Sequence, residues 1–458
     1  FDASNGLLML VGGLLGMVLY HAAFGFTGAW RVFITERKGR GLRAQMVMLA
    51  IAVMLFFPAL DAGSLFGTSV YGFVAPIGLS VVVGAFIFGV GMQLGGGCAS
   101  GTLFTAGGGN ARMLITLVFF IVGSVIGSAH FAWWQSLPSF APVSLVKLAG
   151  AWGGIAISLA LFIAIAAFTV VMEKRRHGQL ERTSAVNKKG AERWLSGPWP
   201  LLFGAVALAL LNFATLALAG RPWGITSAFA LWGAKAFQLV GGDVTQWGYW
   251  QSSWNAAALN SSIWGDITTV MNVGIMLGAL MAASLAGRFA PNFRIPLRSV
   301  AAAVIGGIML GYGARLAFGC NIGAYFSGIA SGSLHGWIWL IAAFVGNMAG
   351  IIQSPSWAID GNSFLFTRDV SGNESIDGRM LNSRIFSYNL ANDQTTNLSQ
   401  NKAQGTNDTH PRYSPTGDQV IFTNAPNNAS APPDIWVMDT DGSNREKLIT
   451  NGELPFWE

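Results

Sequence analysis

The chain contains few charged residues. Asp, Glu, Lys and Arg together account for 10% of its 458 residues, whereas soluble proteins carry about 25%. Hydrophobic residues account for 52%. This balance excludes an ordinary soluble domain for residues 1–353, where nearly all of the long apolar runs lie. Residues 354–458 differ, because they are polar and rich in Asn, Asp and Ser.

Residues that support catalysis or metal binding are also rare. Only two cysteines occur, Cys98 and Cys320, which is too few for a disulfide framework. His21, His130 and His335 stand alone without ligand spacing, so we expect no metal site. The chain has no phosphate-binding loop for ATP and no paired nucleophile and base, so we expect neither an enzyme nor a bound cofactor.

Nine apolar segments are each long enough to cross a lipid bilayer as a helix, which takes about 17 to 25 residues. They predict an all-α polytopic membrane domain with about nine transmembrane helices over residues 1–353. The predicted spans are 6–23, 43–60, 72–93, 112–134, 150–172, 199–219, 267–287, 298–317 and 335–353.

The basic residues orient these spans. The net charge of +6 does not require a nucleic-acid partner, because the basic residues fall mainly in short loops. Three such loops, residues 31–43, 173–193 and 287–298, lie on one side of a nine-span arrangement. The positive-inside rule places that side in the cytoplasm. We therefore expect a protein of the bacterial cytoplasmic (inner) membrane with its N-terminus outside and residue 353 inside.

Four shorter apolar segments follow glycine or other small residues and are too short to cross a bilayer. Such segments are typical of half-helices that enter the membrane and turn back, which is tolerated where the backbone is buried in protein or lines a cavity. The predicted half-helices are 24–33, 98–108, 224–240 and 320–330.

The half-helix motifs occur in the same order in both halves of the chain. FGFTGAW (24–30) resembles WGITSAF (223–229), and GMQLGGGCASG (91–101) matches GARLAFGCNIG (313–323) at its Gly, Leu, Gly-Cys and Gly positions. The first copies fall on the cytoplasmic side and the second copies outside. We therefore predict an inverted repeat with a pathway at the repeat interface. Packing of helices through small residues is the alternative, but it requires neither matched cysteines nor matched order.

The residues at these motifs predict a pathway for an anion. A helix N-terminus directs N–H groups and the positive end of its dipole at an ion, and glycine lets the backbone approach closely. A neutral thiol adds a weak, soft donor, although buried structural cysteines are the alternative. Arg315 lies inside a predicted span and aligns with Gln93 in the repeat. A charged residue inside the membrane predicts a functional role, and the alternative is that its side chain snorkels to the membrane interface. The predicted pathway residues are Cys98, Cys320, Gly97, Ser100, Gly101, Gly319, Asn321, Gly323, Arg315, Gly25, Thr27 and Thr226.

On these motifs, residues 1 to about 353 resemble the YeeE/YedE family of membrane proteins, whose characterised members take up thiosulfate. The resemblance rests on the twin Gly-Cys-x-x-Gly elements, the Phe-x-x-Thr-Gly element and RPWGITSAFALWGA (221–234). It implies an hourglass fold with re-entrant half-helices and cysteines that relay thiosulfate, two of which match Cys98 and Cys320. The family usually has a third cysteine where this sequence has Gly25. Either two thiols suffice here or the anion differs.

These observations predict membrane transport of a small sulfur-containing anion, with thiosulfate uptake as the leading hypothesis. The alternative is a non-transporting accessory subunit of a larger membrane complex with an extracytoplasmic propeller partner. The other partners considered are the lipid bilayer and a cytoplasmic sulfur-carrier protein. An enzymatic interpretation, with a persulfide on either cysteine, has no general base to support it.

Residues 354–458 contain a repeat of their own. Residues 354–367 match 410–423, residues 384–390 match 434–442, and a third copy begins at LPFWE. Alternating strands and Asp-Gly turns predict a β-propeller-like fragment, and the copies resemble blades of TolB-like proteins, which work in the periplasm. Two blades and a stub cannot close a propeller of four to eight blades. We hypothesise that this fragment comes from a separate, periplasmic polypeptide, because the nine-span topology ends in the cytoplasm.

Overall fold

The computed structural model describes most of the chain and divides it into two compact units, Phe1–Ile351 and Ile352–Glu458. The first unit is mainly helical and the second consists of strands. The residues described are 3–181, 190–289, 291, 293, 295, 297–352, 356–358, 362–370, 382–427 and 431–452. Parts of the second and third basic loops therefore lie outside the described residues.

The helices of the first unit follow the predicted apolar segments, except that the span predicted at 72–93 becomes helical only from Leu79. They are α1 (Ala3–His21), α2 (Phe26–Glu36), α3 (Arg40–Ala62), α4 (Leu79–Gly95), α5 (Ala99–Gly107), α6 (Ala111–Gln135), α7 (Leu145–His177), α8 (Gly190–Ser196), α9 (Leu201–Ala219), α10 (Ile225–Leu239), α11 (Ser253–Asn260), α12 (Ile267–Leu285), α13 (Leu297–Leu316), α14 (Ser327–Ala330) and α15 (Leu334–Ile352). A π-helix, Asn321–Phe326, runs directly into α14, and a short 3-10 helix covers Ile263–Gly265. Four two-residue strands lie in the loops: β1 (Ser64–Leu65), β2 (Thr68–Ser69), β3 (Ile77–Gly78) and β4 (Ser139–Phe140).

Within the described ranges, nine helical stretches are long and apolar enough to cross a membrane. This number equals the number of spans predicted from the sequence, and it identifies a multi-pass helical membrane protein. Three of the stretches, Ser4–Thr35, Leu79–Gly107 and Ser299–Ala330, combine a long helix with a shorter one. The shorter member is in each case the segment predicted as a half-helix, namely α2, α5, or the π-helix with α14.

Many glycines of this unit allow helices to pack backbone against backbone. A Cβ atom on Gly278 of α12 would lie 1.9 Å from the carbonyl oxygen of Gly13 in α1. A Cβ atom on Gly311 of α13 would lie 2.1 Å from the carbonyl oxygen of Phe120 in α6. Neither distance leaves room for a side chain, so close approach through small residues holds these helix pairs together.

The first and second basic loops meet on one side of the helical unit. Arg43 at the start of α3 forms a 2.6 Å ion pair with Glu173 near the end of α7. The same carboxylate accepts hydrogen bonds from the backbone N–H groups of Gly39, at 3.0 Å, and Glu181, at 2.7 Å. The Glu173 side chain is fully buried, so this contact fixes the ends of two spans to each other.

The second unit contains two four-stranded antiparallel sheets, each formed by one of the two predicted copies. The first sheet has β5 (Ser356–Trp357), β6 (Ser363–Asp369), β7 (Ser383–Asn389) and β8 (Gln394–Asn397), in that order. The second has β9 (Thr406–Tyr413), β10 (Gln419–Pro426), β11 (Asp434–Asp439) and β12 (Glu446–Ile449), again with sequential neighbours paired. Their shared core consists of Leu365, Ile385, Leu398, Val420, Phe422 and Met438.

This arrangement has the strand count and order of propeller blades, but the described strands form no closed propeller. The resemblance to TolB-like blades therefore stays a prediction. The third copy, expected at residues 454–458, lies outside the described residues.

Candidate functional site

Cys98 is the N-cap residue of α5. The helix α4 ends at Gly96, which has a left-handed backbone with φ of +85° and so reverses the chain. The Cys98 sulfur accepts a hydrogen bond from the N–H of Gly101 at 3.4 Å and lies 3.3 Å from the hydroxyl of Ser100. The residue is 2% exposed, so a buried thiol lies at the positive end of this half-helix.

Cys320 is the N-cap residue of the π-helix, which is the position that Cys98 has before α5. Phe318 and Gly319, with φ of +58° and +150°, turn the chain into it. The predicted short helix is present, but its first six residues are π-helical. The carbonyl oxygen of Cys320 accepts hydrogen bonds from both Ala324, at 2.8 Å, and Tyr325, at 3.2 Å, which reflects the wider winding.

The two thiols belong to one neighbourhood. The helix α5 contacts the π-helix, and both contact α10. Both thiols are free of disulfides. The structure therefore brings together the two cysteines that are 222 positions apart in the sequence, counted from 98 to 320.

The other two half-helices begin beside this pair. A Cβ atom on Gly323 of the π-helix would lie 3.7 Å from the Cα of Gly224, the N-cap residue of α10. The ring of Phe26, the first residue of α2, packs edge-on against the ring of Tyr325 with 6.0 Å between centroids. We call the first turns of α2, α5, α10 and the π-helix, with their N-cap residues, the half-helix starts.

Four glycines at the half-helix starts would accept a small side chain. Apart from chain neighbours and the backbone of its own helix, a Cβ atom added at Gly25, Gly101, Gly224 or Gly323 would have one heavy atom within 4 Å, at 4.0, 3.5, 3.9 and 3.7 Å respectively. These are ordinary contact distances, in contrast to the 1.9 Å found at Gly278. Helix packing therefore does not require glycine at these four positions.

The remaining two predicted glycines have a different environment. A Cβ atom on Gly97 would lie 3.3 Å from the backbone nitrogen of Thr102, and one on Gly319 would lie 2.8 Å from that of Ala324. Both glycines therefore pack against the first turn of the half-helix that follows. Their role is to let the chain turn tightly before each cysteine.

Several buried polar groups at the half-helix starts have no hydrogen-bond partner. They are both amide atoms of Asn321, the hydroxyls of Thr27 and Tyr325, and the indole N–H of Trp223. None of these residues is more than 7% exposed. A buried polar group without a partner costs about 1–3 kcal/mol. A polar ligand or water at this position would remove that cost.

Arg315 lies near the end of α13 and connects two further polar residues. Its two terminal nitrogens donate hydrogen bonds to the hydroxyls of Thr226 and Tyr249, each at 2.6 Å. The residue is 6% exposed, so its guanidinium does not extend to the membrane surface as the snorkelling alternative requires. Sequence analysis selected Arg315 and Thr226 but missed Tyr249, which lies in a Trp-rich loop without a motif.

The first half of the chain contains a comparable contact. Arg31 of α2 donates a hydrogen bond through Nε to the side chain of Gln93 in α4 at 2.7 Å. Gln93 in turn donates to the side-chain oxygen of Asn347 in α15 at 2.5 Å. In each half, an arginine thus links a half-helix to the span that precedes a cysteine. The alignment of Gln93 with Arg315 in the repeat pointed to Gln93, but it did not identify the hydrogen-bond partners Arg31 and Asn347.

Comparison with known proteins identifies the family of this fold and site. A family model described as "Sulphur transport" matches residues 21–349. The chain belongs to this family. Its activity is transport, so the expectation that the protein is not an enzyme is confirmed, as is the resemblance of the helical unit to the YeeE/YedE proteins.

The curated relatives match to different extents. The thiosulfate transporter TsuA of Spirochaeta thermophila is 29% identical over 351 residues, covering 74% of this chain and 96% of that protein. The thiosulfate transporter TsuA of Escherichia coli is 26% identical over 362 residues, covering 77% and 93%. The probable transporter YedE of Escherichia coli is 34% identical over 157 residues, and this match spans 38% of that relative's length.

Proposed function

We propose that the helical unit takes up a small sulfur-containing anion, and that this anion is thiosulfate. The observation that carries the proposal is that four glycines not required by helix packing, two thiols and buried polar groups without partners occur together at the half-helix starts. The names of the two TsuA relatives, which align over nearly their whole lengths, support thiosulfate as the substrate.

Several weak interactions at the half-helix starts would together replace the water around the anion. Each helix N-terminus contributes about 0.3–2 kcal/mol toward a nearby negative charge. This is small compared with the cost of dehydrating a dianion, so several donors must act together. The side chains of Asn321, Thr27 and Tyr325, together with Trp223 directly before the N-cap of α10, are buried donors without partners near these helix N-termini. Because every contact is modest, the ion is released as easily as it is bound.

The thiols give the pathway its preference for sulfur. The Cys98 sulfur accepts the N–H of Gly101 and shares a hydrogen bond with the Ser100 hydroxyl, in which either group can donate. When Ser100 donates, the S–H hydrogen of Cys98 can be directed at a substrate sulfur atom. Cys320 occupies the matching position one half-helix away. A neutral thiol is a weak donor, so the anion moves from one sulfur to the next without becoming trapped. Two thiols suffice in this member, and Gly25 leaves open space in place of the third.

The order in which an incoming anion would meet these residues follows from the orientation that the basic loops predict. With these loops in the cytoplasm, an incoming anion would pass Arg315 first, then Cys320, and then Cys98 before it leaves near Arg31. The protein would in this case lie in the bacterial cytoplasmic membrane with its N-terminus outside.

Uptake by purified protein in lipid vesicles tests the proposal. We expect vesicles with the protein to accumulate radiolabelled thiosulfate faster than protein-free vesicles, and we expect unlabelled thiosulfate to compete better than sulfate, which lacks the terminal sulfur. If vesicles with correctly folded protein accumulate no more label than empty ones, the transport proposal is wrong and the accessory-subunit alternative is favoured.

A further inference from the structure

Arg315 is a buried cation that forms no ion pair with a carboxylate of the described residues. Within the described ranges, the ion pairs of the chain involve other residues, and none includes Arg315. Its position inside a membrane-spanning stretch makes an uncompensated charge costly. Because folding buries the Arg315 guanidinium at this cost, we expect it to bind a negatively charged group during function.

The partners of Arg315 are hydroxyl groups that retain a donor. The hydroxyl oxygens of Thr226 and Tyr249 accept hydrogen bonds from the guanidinium, so the proton of each hydroxyl is free to be donated elsewhere. The Nε–H of Arg315 is also buried and without a partner. Three donors at one place, next to a positive charge, form an arrangement that fits an oxyanion.

The surrounding residues hold these donors in position. The side-chain stem of Arg315 packs against Gly127 of α6, where an added Cβ atom would lie 2.8 Å from its Cβ. The guanidinium carbon lies 5.4 Å from the centre of the Tyr249 ring, and this ring packs edge-on against Phe131 with 5.2 Å between centroids. The donors therefore need little rearrangement to bind an ion.

We propose that Arg315, Thr226 and Tyr249 form a binding site for a tetrahedral sulfur oxyanion, which the ion occupies before it reaches Cys320. We call it the outer station. Arg315 lies near the end of α13, five residues before Cys320, so the outer station lies at the end of the span that leads to this cysteine. The inference rests on the proposed function. It assigns recognition of the two ends of the anion to different groups, because the outer station binds the oxygen atoms and the thiols bind the terminal sulfur.

This division predicts that sulfate binds at the outer station but is transported poorly. The test measures the affinity of the purified full chain for sulfate and for thiosulfate by titration calorimetry, with wild type, Tyr249→Phe and Thr226→Val compared. Each variant removes one hydroxyl donor to a charged ligand, so we expect the Kd for both anions to increase about tenfold or more. Arg315→Gln is expected to abolish measurable binding.

Tyr312→Phe is the matched control, because Tyr312 lies on the same helix and also has a bonded hydroxyl. The partners of its hydroxyl are Trp134 at 2.9 Å and His130 at 3.1 Å, and neither of these residues contacts the guanidinium of Arg315 through a described hydrogen bond. We expect this variant to bind both anions with wild-type affinity. If the Tyr249 and Thr226 variants fold and also keep wild-type affinity, the outer station is refuted, whatever happens to Arg315→Gln.

A second measurement separates failure of the outer station from failure of the proposed function. The double variant Cys98→Ala, Cys320→Ala is expected to bind sulfate with wild-type affinity while it loses thiosulfate uptake. Unchanged affinity in the hydroxyl variants, with normal wild-type uptake, would refute the outer station alone. An absence of uptake by wild type, with normal anion binding, would refute the proposed function alone.

Discussion

Adding one methyl group at Gly323 should block transport without disturbing the fold. The nearest heavy atom to a Cβ at this position is 3.7 Å away, and the backbone φ is not in the left-handed region, so alanine fits. Alanine also favours helix over glycine by about 0.5–1 kcal/mol. We therefore expect Gly323→Ala to unfold at a temperature equal to or slightly above that of wild type.

The same methyl group would occupy the space between the π-helix and the start of α10. Forcing an extra methyl into a space that must close around an ion costs about 1–3 kcal/mol. If this free energy adds to the barrier of the rate-limiting step, the uptake rate falls by about 5- to 150-fold. Gly101→Ala, with its Cβ 3.5 Å from the Cys98 sulfur, should behave in the same way.

Gly278→Ala is the control that separates the pathway from helix packing. Its Cβ atom would lie 1.9 Å from the carbonyl oxygen of Gly13, so α1 and α12 must move apart. We expect this variant to lose stability, seen as a lower unfolding temperature. The assays are thermal unfolding in detergent and thiosulfate uptake in vesicles. If Gly323→Ala and Gly101→Ala fold and transport at the wild-type rate, these two glycines do not line the pathway.

Two further predictions concern the polar site and the second unit. Asn321→Leu removes two buried polar atoms without partners, so the free energy of unfolding should not decrease, whereas uptake should fall about tenfold; wild-type uptake would contradict a role for the amide. If residues 354–458 come from a separate polypeptide, intact-mass measurement of the purified protein should show no species of 48.5 kDa. A single species of that mass would refute the separate-chain hypothesis.

The positions of the spans and half-helices were predictable because their signals are local. Hydropathy over about 20 residues identifies a span, and glycines such as Gly96 mark where a helix must end. The N-cap positions of Cys98 and Cys320 follow directly from those breaks. The repeat then indicated that both belong to one site, because the two halves carry the same motifs in the same order.

Other features depend on tertiary packing and left no local signal. Gly319 and Gly323 look alike in the sequence, yet an added Cβ atom would lie only 2.8 Å from backbone at the first and at an ordinary 3.7 Å at the second. Tyr249 reaches Arg315 across 66 positions of sequence, from a loop with no motif of its own. The π-helical winding after Cys320 likewise required the structure, since the residue pattern is also compatible with an α-helix.

Thiosulfate uptake by the two cysteine variants tests the central claim most directly. Cys98→Ala and Cys320→Ala each replace a buried thiol with a methyl group of smaller volume, and both should remain folded. Vesicles with either variant are predicted to take up radiolabelled thiosulfate at least tenfold more slowly than vesicles with wild type. Uptake by both folded variants at the wild-type rate would show that the two sulfurs do not line the route of the anion.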